Sequence, residues 1–163
     1  MTYDRAEIAS DSRNTFQGTH ILVMGGLSSR GLIDSGCVTV YKAEEYSAEN
    51  PIMRVVTRLA DGQEYEQFID PTKVNPTSAT ENEMSALLAY LVDEKQLNSI
   101  DTLGVGAGAS ISTDTVSSVA TKKKNFYDLT EEMMKMQYNC HNYVGYASYK
   151  KVLNAFDVLM NRG

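Results

Sequence analysis

Residues 25–31 read GGLSSRG and come directly after the short apolar run of residues 21–24. A glycine-rich turn of this kind can present its backbone N–H groups to an anion such as a phosphate. Ser28, Ser29 and Arg30 would then supply hydroxyl and guanidinium contacts to the same anion. The string makes a small nucleotide- or phosphate-binding protein, or an enzyme, one alternative function. The other interpretation, which we favour, is a Gly/Ser turn between two elements.

Two further comparisons weaken the phosphate-binding interpretation. The string resembles the GG-x-S-x-R-x-G loop of nucleotidyltransferases, yet Gly31 follows Arg30 directly and the lysine expected next is absent. Residues 104–109 read GVGAGA and formally satisfy the G-x-G-x-x-A dinucleotide pattern. That pattern needs a strand before it and a helix N-terminus after it, whereas residues 110–121 are poor in helix formers. We expect no cofactor.

Nucleophilic or metal chemistry would depend on the two cysteines and two histidines of the chain. Cys140 and His141 are neighbours, and adjacent side chains on a helix diverge by about 100°, so they would not face each other. Cys37 lies in no recognisable catalytic signature, and Cys37 and Cys140 can form one disulfide or remain two thiols. The spacings Cys-x2-Cys, His-x3-His and EF-hand are all absent. We expect no catalytic residue and no metal site, and we favour a non-enzyme.

The charge balance argues against one further class of function. Lys and Arg number 15 and Asp and Glu number 21, so the formal net charge is −6. General nucleic-acid binding needs a basic face, and the basic run of residues 122–124 is more simply a solvated linker end. The first 14 residues are polar, and no stretch is long and apolar enough to span a bilayer. We expect a soluble protein with a cytoplasmic location by default. The alternative is export without a cleaved signal peptide.

The elements that would position any site begin with a sheet. Residues 37–41 and 52–59 are rich in β-branched side chains, and Asp61-Gly62 separates the second run from residues 64–69. An Asp-Gly dipeptide between two such runs is typical of a type I′ hairpin turn, which needs positive φ at both central residues. We therefore expect an antiparallel three-stranded meander over about residues 37–70.

A helix should follow the sheet. Thr80 and Glu83 have the S/T-x-x-E spacing of a capping box, in which each side chain accepts a hydrogen bond from the other residue's backbone N–H. The apolar residues that come next share one helix face: Met84, Leu87, Leu88 and Leu91. The pattern predicts an amphipathic helix that begins after Thr80.

The last forty residues show two apolar stripes with helical spacing. The first stripe contains Phe126, Leu129, Met133, Met136, Cys140 and Tyr143, and the second contains Tyr146, Tyr149, Leu153, Phe156 and Met160. The stripes are out of phase near residues 142–145, which favours two antiparallel helices joined by a turn over residues 139–142. The predicted fold class is therefore α+β, with a small meander, a packed helix and a C-terminal helical hairpin.

The tyrosines and methionines of this hairpin are the best interaction candidates. Tyrosine suits half-buried interfaces because it joins an apolar body to a polar tip, and methionine adapts to irregular surfaces. The candidate interaction residues are Tyr143, Tyr146, Tyr149, Met133, Met136 and Phe156. The alternative is that these side chains pack against the sheet or the preceding helix and form ordinary core.

Four segments follow from these patterns. We expect an irregular N-terminal arm over residues 1–19 and a sheet domain over residues 20–101. Residues 102–124 form a connection rich in Gly, Ala, Ser and Thr, and residues 125–163 form the helical hairpin, packed on the sheet domain as one unit.

Two stretches also carry a resemblance. Residues 52–91 (IMRVVTRLADGQEYEQFIDPTKVNPTSATENEMSALLAYL) and residues 131–156 (EEMMKMQYNCHNYVGYASYKKVLNAF) resemble uncharacterised accessory proteins of clostridial-type bacteria. The resemblance covers about the last two thirds of the chain and implies a bacterial accessory protein with no assigned activity.

The expected function is non-enzymatic binding of a protein partner or self-association through the C-terminal helices. A structural subunit of a larger assembly is a further alternative.

Overall fold

The computed structural model describes residues 12–13, 28–31, 36–98, 101–102 and 121–161, the first two ranges by their backbone alone. The strands are β1 Ser12–Arg13, β2 Ser28–Gly31, β3 Cys37–Lys42, β4 Met53–Arg58, β5 Glu64–Ile69, β6 Ala79–Thr80 and β7 Lys123–Lys124. The helices are α1 Glu81–Asp93, α2 Phe126–Asn139 and α3 Tyr143–Asn161, with a 3-10 turn at Pro71–Lys73. One antiparallel sheet has the order β1-β5-β4-β3-β2, and β6 and β7 pair separately. The predicted α+β class is confirmed.

The three central strands form the predicted meander, but their tight turn differs from the expected type. Between β4 and β5, the N–H of Leu59 donates to the carbonyl of Gln63 at 2.8 Å. Gly62 has φ of 92°, while Asp61 keeps negative φ. The connection is therefore a three-residue loop with glycine in the left-handed position, and not a two-residue type I′ turn. The side chain of Asp61 accepts the Gln63 N–H at 3.0 Å and closes the loop.

A strand stands where the sequence indicated a turn. Within β2, Ser29 lies opposite Thr39 and Arg30 lies opposite Val38 of β3. This corrects the expected loop over residues 25–31, because a strand pairs part of its backbone with its neighbour and does not curl into an N–H cradle. Residues 25–27 and the 104–109 string lie outside the described residues. In the predicted irregular arm, Ser12–Arg13 instead pair with β5 as β1.

A capping box begins α1, as predicted, and two lysines reinforce it. The N–H of Glu83 donates to Thr80 Oγ1 at 3.1 Å, and the N–H of Thr80 donates to Glu83 Oε1 at 2.8 Å. Lys124 Nζ lies 2.9 Å from Glu81 Oε1, and Lys123 Nζ lies 3.7 Å from Glu83 Oε1. The prediction that the basic run of residues 122–124 is a solvated linker end is therefore wrong for Lys123 and Lys124. Strand β7 pairs with β6 and brings both ammonium groups onto buried carboxylates. We call this arrangement the clasp.

Helices α2 and α3 form the predicted hairpin, with a turn at residues 140–142. His141 adopts the left-handed conformation, with φ of 61°, and reverses the chain. Asn142 then caps α3, since its Oδ1 accepts the N–H of Gly145 at 3.1 Å. The side-chain amide of Asn142 also donates to Gln137 Oε1 at 2.7 Å, which ties the turn back to α2.

One continuous hydrophobic core joins the sheet, α1 and the outer ends of the hairpin. The sheet contributes Val38, Val40, Met53, Val55 and Ile69; α1 contributes Met84, Leu87 and Leu91; the hairpin contributes Phe126, Val152, Leu153, Phe156 and Leu159. Beneath α1, the amide of Asn82 donates to Thr57 Oγ1 at 3.1 Å and to Gln67 Oε1 at 2.6 Å. This pair of hydrogen bonds fixes the helix over β4 and β5. Among the described helices, none is long and apolar enough to cross a membrane.

Candidate interaction surface

The helical hairpin changes from buried to exposed along its length. At its outer ends Phe126 and Phe156 are 1% and 0% exposed and lie in the core. At its turn Tyr143 is 55% exposed and Val144 is 84% exposed. The outer ends therefore anchor the hairpin, while the turn end carries large apolar side chains into solvent.

We call this turn end the hairpin tip and define it by Met136, Tyr138, Cys140, His141, Tyr143, Val144 and Tyr146. Met136 and Tyr138 are 53% and 55% exposed, matching the exposure of Tyr143. Single exposed apolar residues are ordinary, but a contiguous group of large ones is typical of an interaction site. Within the hairpin tip, the ring contacts of Tyr138 with Tyr143 and Tyr146 form such a group.

The aromatic rings of the hairpin tip pack against each other across the turn. The ring of Tyr138 on α2 lies 5.7 Å from Tyr143 in an edge-on arrangement and 5.4 Å from Tyr146. His141 Nδ1 lies 3.1 Å from the hydroxyl oxygen of Tyr143. These contacts hold the rings in place before any partner arrives, which lowers the entropy lost on binding.

The turn can be this tight because residue 145 is glycine. A Cβ at Gly145 would lie 2.8 Å from Gln137 Oε1 and 2.9 Å from Asn142 Nδ2, closer than ordinary van der Waals contact. Those two atoms form the hydrogen bond that closes the turn. Glycine therefore lets α2 and α3 approach closely and brings Tyr138 beside the rings of α3.

The predicted interaction residues divide between this surface and the core. Tyr143 and Met136 are exposed at the hairpin tip, while Tyr146 and Met133 are half-buried. Tyr149 and Phe156 are only 9% and 0% exposed, so we correct their assignment and place them in the interior. The second apolar stripe runs along α3 from the hairpin tip to the outer end, and residues near that outer end pack in the core with the sheet and α1.

Sequence reasoning missed Val144, which lies off both apolar stripes. Tyr138 also lies off the stripes, but the tyrosine series of residues 138, 143, 146 and 149 pointed to it as an interaction candidate. The geometry of the turn exposes Val144 most of all and brings Tyr138 beside Tyr143.

The hairpin tip also differs from the rest of the chain in charge. Residues 133–156 contain three lysines and no Asp or Glu, although the whole chain has a net charge of −6. Lys150 Nζ lies 5.9 Å from the centre of the Tyr146 ring, a cation–π contact at the edge of the surface. Lys135 and Lys151 are paired with Glu131 and Asp101, so the surface is apolar and carries little net charge.

A polar cluster marks the boundary between tip and core on α3. Asp101, which is 6% exposed, accepts a hydrogen bond from Ser148 Oγ at 2.7 Å and one from Lys151 Nζ at 2.8 Å. Burial alone would raise the pKa of Asp101, but the hydrogen bonds from Lys151, Ser148 and the Asn98 backbone outweigh it and lower the pKa. The cluster fastens the middle of α3 to the segment that follows α1.

The residues that could serve metal or nucleophile chemistry lie apart in the described part of the chain or make other contacts. In those ranges no group of three His, Cys, Asp or Glu side chains is placed to hold a metal ion. Cys37 and Cys140 are free thiols, and His141 contacts Tyr143. Two buried atoms, Glu64 Oε1 and Asn82 Oδ1, have no hydrogen-bond partner within the described part of the chain.

Comparison with known proteins adds no family or relative. No protein-family model matches the chain, and neither the curated proteins nor the solved structures contain a match. The fold and the surface therefore define only a structural class: an α+β protein that presents an aromatic helical hairpin.

Proposed function

We propose that this protein acts without catalysis, by binding a partner protein through the hairpin tip. The observation that carries the proposal is the exposure of four large apolar side chains at one end of the molecule: Met136, Tyr138, Tyr143 and Val144. Tyrosines of this kind are enriched at binding hot spots, because they bury a large area at low entropic cost.

The chemistry of the surface indicates the kind of partner it fits. A partner with an apolar patch can cover Val144 and the tyrosine rings, while the tyrosine hydroxyls remain at the wet rim. Because the hairpin tip itself contains no Asp, Glu, Lys or Arg, and Lys135 and Lys151 nearby are paired with Glu131 and Asp101, apolar contact would dominate the binding free energy. We therefore expect binding to change little as salt concentration rises.

Deleting the whole hairpin would be a poor test, because Phe126 and Phe156 fill the core of the sheet domain. Point substitutions at exposed positions keep the core intact. Tyr138→Ser with Tyr143→Ser removes both exposed rings of the tip, and Tyr65→Ser, at a 36% exposed tyrosine on β5, is the matched control.

Photocrosslinking from Cys140 tests the proposal directly. With Cys37→Ser, Cys140 is the only thiol, and it is exposed inside the hairpin tip, so a maleimide photocrosslinker can be attached there. In extract of the source organism we expect a discrete protein adduct that unlabelled protein competes away. The adduct should disappear in the Tyr138→Ser/Tyr143→Ser variant and persist in Tyr65→Ser.

Three other outcomes would contradict this function. An adduct pattern unchanged by the tip substitutions would mean that the tip does not select a partner. Co-sedimentation with lipid vesicles that depends on Tyr143 would instead indicate membrane binding. A thermal shift with nucleotides or sugar phosphates that Arg30→Ala removes would favour the phosphate-binding alternative.

A further inference from the structure

A cavity of about 390 Å³ opens where α1 ends, beside the middle of α3. Its lining consists of Val92, Lys95, Gln96, Leu97, Asn98 and Lys151. Leu97 is only 4% exposed and belongs to the hydrophobic core, and Val92 packs against that core. Sites for small molecules have volumes of roughly 300–1,000 Å³ and combine an apolar lining with a few polar groups. The cavity has this size, an apolar floor and a polar rim.

Lys95 holds an unfavourable backbone conformation at the rim of the cavity. Its φ is 60°, in the left-handed region that glycine usually occupies just after a helix. The left-handed residue turns the chain back over α1, where the N–H groups of Gln96 and Leu97 both donate to the carbonyl of Leu91. Glycine would form this turn with less strain, because it has no Cβ. Strained positions of this kind are concentrated at functional sites, so the lysine side chain is a candidate for binding.

The two lysines of the cavity differ in how their charge is balanced. Lys151 Nζ lies 2.8 Å from Asp101 Oδ2, whereas Lys95 forms no ion pair within the described part of the chain. An ammonium group has three N–H donors, so Lys151 can still donate to a second acceptor. The cavity therefore offers one uncompensated positive charge and a second hydrogen-bond donor.

The negative groups near Lys95 are engaged elsewhere or face water. Asp93 Oδ2 lies 2.9 Å from Lys42 Nζ, and Glu94 is exposed, so solvent screens its charge. The carbonyl of Val92 accepts the N–H of Lys95 at 3.0 Å. The electrostatics of the cavity therefore favour an anion over a cation.

We propose that this cavity binds a small aliphatic carboxylic acid in its ionised form. The carboxylate accepts hydrogen bonds from the ammonium groups of Lys95 and Lys151, and the hydrocarbon chain lies against Val92 and Leu97. Inorganic phosphate has no group to cover the apolar floor, and an uncharged hydrocarbon leaves the Lys95 charge unused. With one uncompensated lysine, we expect a dissociation constant on the order of 1 mM. None of these residues belongs to the hairpin tip, so this inference is independent of the proposed function.

Titration of the full chain with hexanoate, followed by NMR, is the primary test. The methyl resonances of Val92 and Leu97 should shift and reach saturation. Acetate has the same carboxylate without the chain and should bind about fivefold more weakly or worse, because it buries fewer CH₂ groups. Hexylammonium has the same chain with the opposite charge and should produce no saturable shift. The absence of saturation with hexanoate, or equal binding of hexylammonium, would overturn the proposal.

Substitutions of Lys95 distinguish a ligand-binding lysine from a structural one. Lys95→Gly removes the ammonium group and relieves the left-handed strain, so hexanoate affinity should fall about fivefold or more while the unfolding temperature rises by about 2 °C. Lys95→Met keeps the strained backbone and should weaken binding equally. Lys122→Met, at an exposed lysine outside the cavity, is the matched control and should bind hexanoate like wild type. Unchanged affinity in both Lys95 variants would contradict the proposal.

Asp101 gives a measurement of opposite sign. Asp101→Asn releases the Lys151 ammonium group from its counter-charge, so hexanoate should bind about threefold more tightly than to wild type. Unchanged or weaker binding in this variant would contradict a site that uses both lysines.

A peptide C-terminus can present the same carboxylate beside an apolar side chain. The peptide N-acetyl-glycyl-glycyl-leucine therefore serves as a second probe in the same NMR titration. Weaker binding of this peptide than of hexanoate supports a free acid as the ligand, and tighter binding would overturn it.

Discussion

The two ends of the helical hairpin use the same residue types for different purposes. Both carry tyrosine, methionine or phenylalanine at helical spacing, yet Phe156 is fully buried and Tyr143 is 55% exposed. The outer ends face the sheet and α1, whereas the hairpin tip extends past them. Helical spacing thus identifies which face of a helix is apolar. How much of that face becomes core depends on how far the sheet and α1 extend along the hairpin.

The largest effect that would test this contrast is truncation of a core aromatic. Phe156→Ala removes a fully buried ring and should destabilise the protein by about 3–5 kcal/mol. Val144→Ala, at the tip, should stay within about 0.5 kcal/mol of wild type. Urea unfolding followed by circular dichroism measures both, and similar losses for the two variants would contradict the division into anchor and tip.

An intermediate effect is expected at the boundary of the two regions. Asp101→Asn weakens the hydrogen bonds from Lys151 and Ser148, and because Lys151 is half exposed we expect a loss of about 1.5 kcal/mol at neutral pH. The pKa of Asp101 is lowered in the folded state, so its stabilisation is present above the ordinary value of 3.8. It is lost as pH falls through the folded-state pKa. Unfolding curves of wild type and variant should therefore converge at acid pH, and a constant difference would exclude a charge effect.

The smallest effect compares two tyrosine hydroxyls. Tyr127 donates a hydrogen bond to Asp157 Oδ1 at 2.9 Å near the anchored end, and this contact raises the pKa of Tyr127. Tyr127→Phe should cost about 0.5–1.5 kcal/mol. Tyr143→Phe removes only the exposed contact to His141 and should change stability by no more than about 0.5 kcal/mol. Thermal unfolding measures the stability of both variants. A larger loss of stability in Tyr143→Phe than in Tyr127→Phe would contradict the division into anchored end and exposed tip.

Local signals in the sequence predicted much of the fold. The Thr80 and Glu83 capping box depends on residues three apart, and the phase slip between the two apolar stripes locates the turn at Asn142. The meander followed from its runs of β-forming side chains and from the Asp61-Gly62 dipeptide. In each case the structure-forming interaction lies within a few residues, so a short stretch of sequence contains all of it.

Features that depend on distant partners were not predictable in the same way. Lys123 and Lys124 form a strand because Ala79 and Thr80, over forty residues away, pair with them. Arg30 lies in a strand because β3 lies beside it. The exposure of Val144 likewise depends on how far the sheet and α1 extend along the hairpin. A single sequence carries no direct signal of such long-range contacts, so they follow only from the assembled fold.

The clasp has a consequence for the order in which the chain folds. Hairpin α2–α3 and the meander consist of contacts close in sequence, which form quickly, whereas joining β6 to β7 closes a loop of more than forty residues. The Glu81–Lys124 ion pair is therefore expected to form after the main folding barrier. Weakening it would leave the folding rate nearly unchanged and increase the unfolding rate, so the clasp governs how long the native protein persists once formed.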